Sequence, residues 1–328
     1  MSLRYLSPPR NQRYVQNNEA SIDEPVTVVR PIQGRVSAAT FEGVDGLGDG
    51  LTTLHKIIDT ELNYYHYWMG TILIAGAASG IGRAWVQEIF HGDQVQNVKT
   101  IYALDNTFST EQEPTSVFNI PQNAVPTIRL FKADVTDEHG VSQACHQIQD
   151  ELSTTGATID IVIYSVGVRG LDPAVPILQS SDVAKAETLN AISVETLERT
   201  LRINSIGAFI FLRALTPLLN KASGSPAKVL VMSSRMGSVG HNTVGGAYAY
   251  RASKAAQNAL VRSLAADVPE VIWVLVHPGR VETRLVAVKE DGAMTPAESV
   301  EDMTQLLMNV GREQSGHFMD RFGEPIPW

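Results

Sequence analysis

Tyr250-Arg251-Ala252-Ser253-Lys254 places a phenol and an ammonium four residues apart, so on a helix both side chains share one face. A free phenol loses its proton near pH ~10 and is a poor acid–base group at neutrality, whereas a cation beside it favours the phenolate and brings proton transfer into range. Upstream, the apolar run Val229-Leu230-Val231-Met232 ends in Ser233-Ser234, which delivers a hydroxyl to the edge of a buried strand. Further upstream, Gly76-Ala77-Ala78-Ser79-Gly80-Ile81-Gly82 follows the apolar run Thr71–Ala75 and leads into the helical stretch that begins Arg83-Ala84-Trp85. Glycines at a strand-to-helix turn let backbone N–H groups approach a pyrophosphate, whose charge the helix N-terminus also favours. A proton-transfer pair, a hydroxyl at a strand end and a phosphate cradle together imply hydride chemistry on a carbonyl or alcohol with a bound dinucleotide.

These groups need elements to carry them. Short apolar runs at Thr71–Ala75, Lys99–Leu104, Thr127–Ala133, Ile159–Tyr164, Lys228–Met232, Val271–Val276 and His317–Met319 alternate with helical stretches. The helices are expected over Ile81–His91, Glu138–Leu152, Val194–Leu219, Ala252–Asp267 and Pro296–Val310. That alternation predicts an α/β fold: a single Rossmann-type doubly wound parallel sheet of about seven strands with helices on both faces, spanning 70–328. Residues 1–50 mix Pro, Asn, Gln, Gly and charge without a sustained period and read as an extended or partly disordered leader. In 51–69, Leu54, Ile57, Ile58, Leu62, Tyr65 and Trp68 follow three- and four-residue steps, which predicts one preceding helix.

Asp105, at the end of the second strand, is suited to accept hydrogen bonds from two ribose hydroxyls and to repel a 2′-phosphate, which favours NAD over NADP. Arg83, beyond the last glycine, could still reach a phosphate, so NADP stands as the alternative.

The glycine spacing, with three residues between the first two and one before the third, resembles the short-chain dehydrogenase/reductase family. So do the strand ends Ala103-Leu104-Asp105, Ala133-Asp134-Val135 and Tyr164-Ser165-Val166-Gly167, the segment Arg202-Ile203-Asn204-Ser205-Ile206-Gly207, and the loop His277-Pro278-Gly279-Arg280-Val281-Glu282-Thr283. The resemblance implies catalytic roles for Asn204, Ser234, Tyr250 and Lys254. Tyr250 would be the general acid/base, Ser234 the donor to the substrate oxygen, Lys254 the holder of the nicotinamide ribose, and Asn204 the keeper of a relay water. It implies cofactor contacts at Gly76, Ser79, Gly80, Ile81, Gly82, Asp105, Asp134, Val135, Gly167, Tyr250, Lys254, Pro278, Gly279, Val281 and Thr283. Ser79 stands where NADP-preferring members often carry Arg or Lys. Tyr164 and Ser165 depart from the family's Asn-Asn pair, which bears on local bracing. The long Ser234-to-Tyr250 spacing and the segment Ser315–Trp328 are similar to the C-factor and Sniffer-like carbonyl-reductase branch.

The net charge of -9 opposes partners such as nucleic acid or an anionic membrane, and one cysteine, Cys145, excludes an internal disulfide framework. No run approaches the ~20 apolar residues of a membrane span, so a soluble, cytoplasmic protein is expected, with organelle targeting through the leader, where Arg4, Arg10 and Arg13 precede any acid, as the alternative. The eight histidines show no metal-ligand spacing, and no metal is expected. The substrate is expected to be a small carbonyl compound or secondary alcohol, with Tyr248, Met236 and Val239 hinting at an apolar one. Family members commonly pair through the two long helices, so a homodimer or homotetramer is expected. The competing reading is a dinucleotide-binding sensor or scaffold of the same fold, without turnover.

Overall fold

The computed structural model describes residues 70–92, 97–109, 111–121, 125–172, 174–219, 225–286 and 288–328. The expected leader and the helix before residue 70 lie outside the described residues.

Seven parallel strands form one sheet: β1 (Gly70–Ala75), β2 (Val98–Asp105), β3 (Thr127–Lys132), β4 (Ile159–Tyr164), β5 (Lys228–Met232), β6 (Ile272–His277) and β7 (His317–Asp320). Their order is β3-β2-β1-β4-β5-β6-β7. The chain winds outward from β1 through β2 to β3, then returns past β1 to β4 and winds the other way. The reversal between β1 and β4 opens a crevice at the carboxyl ends of the strands, where such sheets bind ligands.

Strand alternation builds a core on each face, because successive side chains point to opposite sides. Leu73, Val162, Tyr164, Val229, Val231 and Leu275 face one layer with Ile148, Phe211, Leu215 and Val261. Ile72, Ile74, Ile161, Ile163, Leu230 and Val274 face the other, with Trp85, Ile89, Val300 and Met303. The first layer is covered by α3 (Glu138–Thr155), the long helical run Val194–Leu219 and α7 (Tyr248–Asp267), and the second by α1 (Gly80–His91) and α8 (Pro296–Asn309).

The long run is three pieces in one rod: α5 (Val194–Leu201), a π-helical turn (Arg202–Ile206) and α6 (Gly207–Leu219). By length and composition it could cross a membrane. Half of its apolar window is buried in the fold, where α6 packs on α3. Two short helices, α2 (Pro114–Phe118) and α4 (Ser180–Ala186), were not anticipated, since segments of one or two turns do not display a helical repeat. The helix expected from Ala252 begins at Tyr248, which puts Tyr250 inside its first turn.

Candidate active site

A cleft of about 880 Å³ runs along the carboxyl ends of the strands. Its dinucleotide end is shaped by backbone. Gly76 adopts φ +80, and the N–H groups of Gly76 and Ala77 both donate to the Leu104 carbonyl, at 2.9 and 3.1 Å, tying the turn to the end of β2. A Cβ on Gly82 would lie 2.2 Å from the Gly76 carbonyl oxygen, so only glycine lets α1 begin this close to the loop. A Cβ on Gly80, at φ +54, would stand 3.3 Å from Thr283, so the loop meets the far wall of the cleft there. This cradle of backbone at the N-terminus of a helix fits a pyrophosphate.

Asp105 lines the same end. Its Oδ2 accepts from the Ala78 N–H at 3.1 Å, and its Oδ1 accepts from Thr107 N and Oγ1 at 3.0 and 2.8 Å, which fixes the carboxylate at the cleft wall. Asp134 is held likewise by Thr136, whose backbone N–H is the largest cause keeping its carboxyl below the ordinary carboxylate range. Val135 follows it on the wall, and a Cβ on Gly207 would come 2.7 Å from its Cγ2.

The substituted turn after β4 keeps its brace by another means. Ser165 donates from both N and Oγ to the Ala75 carbonyl, at 3.0 and 2.9 Å, pinning β4 to β1 beside the glycine loop. Tyr164 turns instead into the core against Phe211. Arg83 departs from the expectation that it could reach a phosphate. Its Nη1 donates to the Val117 carbonyl at 2.7 Å and its guanidinium stands over the Phe118 ring, so α2 draws it away and it does not line the cleft.

The chemical end is made of side chains. Tyr250 and Lys254, both buried, rise from the first turns of α7 and line the cleft. Ser234, at the end of β5, lies close enough to the Tyr250 hydroxyl to favour its ionised form, and its own Oγ accepts the Met236 N–H at 3.2 Å. The Ser233 hydroxyl donates to Asn258 Oδ1, while Ser233 rather than Ser234 lines the cleft. Lys254 Nζ donates to the Met232 carbonyl at 2.8 Å and Gln257 Oε1 at 2.9 Å, and lies 6.0 Å from the Tyr250 ring centroid. Burial pulls the lysine down to about 7 and pushes the phenol up, the latter opposed by Arg169 and by the nearby Ser234.

Asn204 sits on the π turn, fully buried. Its Oδ1 accepts from Val168 N and its Nδ2 donates to the Val168 carbonyl, each at 2.8 Å, so the amide clamps the chain leaving β4. Nδ2 also donates to Ser253 Oγ on α7. A Cβ on Gly167 would stand 3.4 Å from Asn204 Oδ1 and 3.5 Å from Lys254 Nζ, so the three residues converge at ordinary van der Waals contact.

The cleft wall thus includes Gly76, Ser79, Gly80, Ile81, Asp105, Asp134, Val135, Gly167, Tyr250, Lys254, Pro278 and Thr283. Asn204 and Ser234 are buried just behind it, Asn204 bonded to Val168 of the wall and Ser234 to the Met236 N–H. Gly82 lies beneath the loop, while Gly279 (φ +94) and Val281, bridged to Met294, shape the segment leading to Thr283. The apolar substrate hint is relocated. Tyr248 and Val239 are exposed, and neither they nor Met236 line the cleft; Leu171, Val175, Pro176, Ile177 and Leu285 do.

Two residues went unnoticed in the sequence. Arg169 lines the cleft with its guanidinium 5.0 Å from the Tyr250 ring centroid, and it is paired with Glu187 through Nε and Nη2. The partners come from three separated segments, so no short-range spacing marks them. The one available signal was a basic residue directly after the strand-end turn Val166-Gly167-Val168. Cys145 is buried and its thiol is pushed up to about 11, which leaves it inert packing.

The family model described as short chain dehydrogenase matches residues 70–293. Among characterised relatives, the C-signal protein of Myxococcus xanthus is 37% identical over 172 residues, 52% of this chain and 93% of its own. The 1-hydroxy-2-glutathionyl-2-methyl-3-butene dehydrogenase of Rhodococcus sp. (strain AD45) is 27% identical over 79% of this chain and 100% of its own. Among solved structures, carbonyl reductase Sniffer of Drosophila melanogaster superposes with a TM-score of 0.65 at 25% identity, covering 79% of this chain and 100% of its own. With the glycine cradle, the Tyr–Lys helix and the strand-end serine all in place, the chain belongs to the short-chain dehydrogenase family and is an NAD(P)-dependent oxidoreductase.

Proposed function

We propose that the protein interconverts a carbonyl compound and its secondary alcohol with Tyr250 as general acid/base, and that it prefers NAD to NADP. The observation that carries the reading is the position of Tyr250: buried on the wall of the cleft that begins at the glycine cradle, beside Ser234 and backed by Lys254. A bound nicotinamide dinucleotide supplies the hydride in reduction and accepts it in oxidation. Ser234 and Tyr250 hold the substrate oxygen, and in reduction the Tyr250 hydroxyl donates its proton there. In oxidation the phenolate takes the proton back. Lys254 orients the ribose near the reacting end, and Asn204 keeps Val168 and α7 in register so that these distances hold. Positioning and proton transfer are the sources of acceleration, the latter worth about 10²–10⁴-fold.

The preference for NAD rests on Asp105, whose carboxylate would repel a 2′-phosphate. A neighbouring groove of about 560 Å³ shares Ala78 and Thr107 with the cleft and carries Glu111 and Glu113, which add negative charge at the same corner. The apolar lining by Leu171, Val175, Ile177 and Leu285 favours a substrate with hydrocarbon beside its carbonyl.

The test is a titration of the purified protein with NADH and NADPH, followed by turnover against ketones, aldehydes and quinones. Tighter NADH binding and turnover that Tyr250→Phe abolishes are expected. Binding without turnover across the panel would favour a sensor of the same fold.

A further inference from the structure

The segment leaving β4 is held unusually firmly for a loop. Asn204 clamps both backbone groups of Val168. Gly170, at φ +82, has so little room that a Cβ would meet Thr200 Oγ1 at 2.9 Å and the Ala249 methyl at 3.0 Å. Arg169 is fixed between these two points, and its guanidinium lies over the face of the Tyr250 ring. Glu187, buried at the end of α4, grips that guanidinium through both carboxylate oxygens. The Glu187 backbone carbonyl also accepts the Ala247 N–H at 2.9 Å, at the N-cap of the Tyr250 helix. One acid therefore braces both the cation and the helix carrying the phenol.

We infer that Arg169 is a positioning residue of the acid/base site, a permanent cation held by Glu187 over the Tyr250 ring that offsets the cost of ionising the buried phenol. The inference rests on the reading of Tyr250 as the acid/base and adds to it the group that sets its ionisation. A cation over an aromatic face is attracted by the ring, and more strongly once the ring carries the phenolate charge. Guanidinium keeps its charge at every relevant pH, whereas a buried lysine gives up its proton readily. Lys254 is the buried lysine here, so it alone is a weak guarantee of positive charge. The groups that face Tyr250 are Arg169 from the β4 loop, Lys254 from its own helix, Ser234 from the end of β5 and Glu187 from α4, while Glu290 acts on Arg169 from the loop beyond Thr283. Burial and Glu187 disfavour the phenolate; Arg169 and Ser234 favour it.

The experiment follows tyrosinate absorbance against pH in the NAD-saturated protein, taking the difference from Tyr250→Phe so that only this phenol is read. Arg169→Met should raise the ionisation midpoint by about one pH unit or more, about tenfold in the ionisation constant, while Arg169→Lys should stay closer to the parent. Arg169→Gln, which keeps a donor for Glu187, gives the same reading should the methionine variant fail to fold. An unshifted midpoint in the neutral variants, or equal shifts for Lys and Met, would overturn the role of Arg169. A parent protein in which Tyr250 does not ionise below the ordinary tyrosine range would instead sink the underlying assignment of Tyr250.

Discussion

The two ends of the cleft are built from different materials. At the dinucleotide end, turns set the shape: Gly76 and Ala77 donate to Leu104, Gly82 lies against the Gly76 carbonyl, and Asp105 is tied to Ala78 and Thr107. At the chemical end, side chains from distant segments converge on Tyr250: Ser234 from β5, Arg169 from the β4 loop and Lys254 from its own helix, with Glu187 behind Arg169. The first end is rigid because glycine and backbone leave no room to move. The second is held by side chains that reach partners on other elements, and its chemistry depends on burial as much as on contact. Shape is therefore the vulnerable property at one end, and charge at the other.

Substitutions should separate these properties. The largest effect is expected from Tyr250→Phe, which should cost about 10²–10⁴-fold in turnover while dinucleotide affinity, measured by fluorescence titration, stays within a few-fold. Gly82→Ala should do the reverse. Its new methyl must displace the Gly76 carbonyl, so affinity should fall at least about tenfold, with a loss of about 1–3 kcal/mol in denaturant stability. A Gly82→Ala protein with normal binding would show that the cradle is softer than its geometry implies.

Smaller changes sharpen the contrast. Asp105→Asn keeps an acceptor for Ala78 and removes the charge, so the ratio of NADH to NADPH affinity should fall by about tenfold, with turnover at saturation little changed. Lys254→Met tests burial at the chemical end through stability alone. The lysine is pulled from its ordinary value down to about 7 in the folded protein, so between about pH 7 and 10 the unfolded chain binds more protons and stability rises with pH. Melting temperatures in that window should rise more steeply for the parent than for the variant, and parallel curves would show that the ammonium is better solvated than its burial suggests.

The same contrast explains what could be read from the sequence. The glycine turn, Asp105 and the Tyr250–Lys254 spacing were legible because each is a local pattern on one element, and the alternation of strands and helices fixed the order of those elements. Ser165 was legible as a departure but not as a brace, since its partner Ala75 is 90 residues away. Asn204 was expected near a relay water, and the clamp on Val168 emerged only with the π turn that aims its amide. The tie between Arg83 and the short helix Pro114–Phe118 was not legible, because that helix leaves no periodic trace. Arg169 and Glu187 escaped notice for another reason: an ion pair between the loop after β4 and the end of α4 has no spacing rule.

The most direct test of the central claim uses NADH carrying deuterium at C4 of the nicotinamide, with the best carbonyl from a turnover panel. The account predicts deuterium on the carbinol carbon of the product, a slowed rate for the labelled cofactor, and loss of both product and label in Tyr250→Phe. Tight NADH binding with no label transferred to any carbonyl tested, or transfer undiminished in Tyr250→Phe, would contradict it.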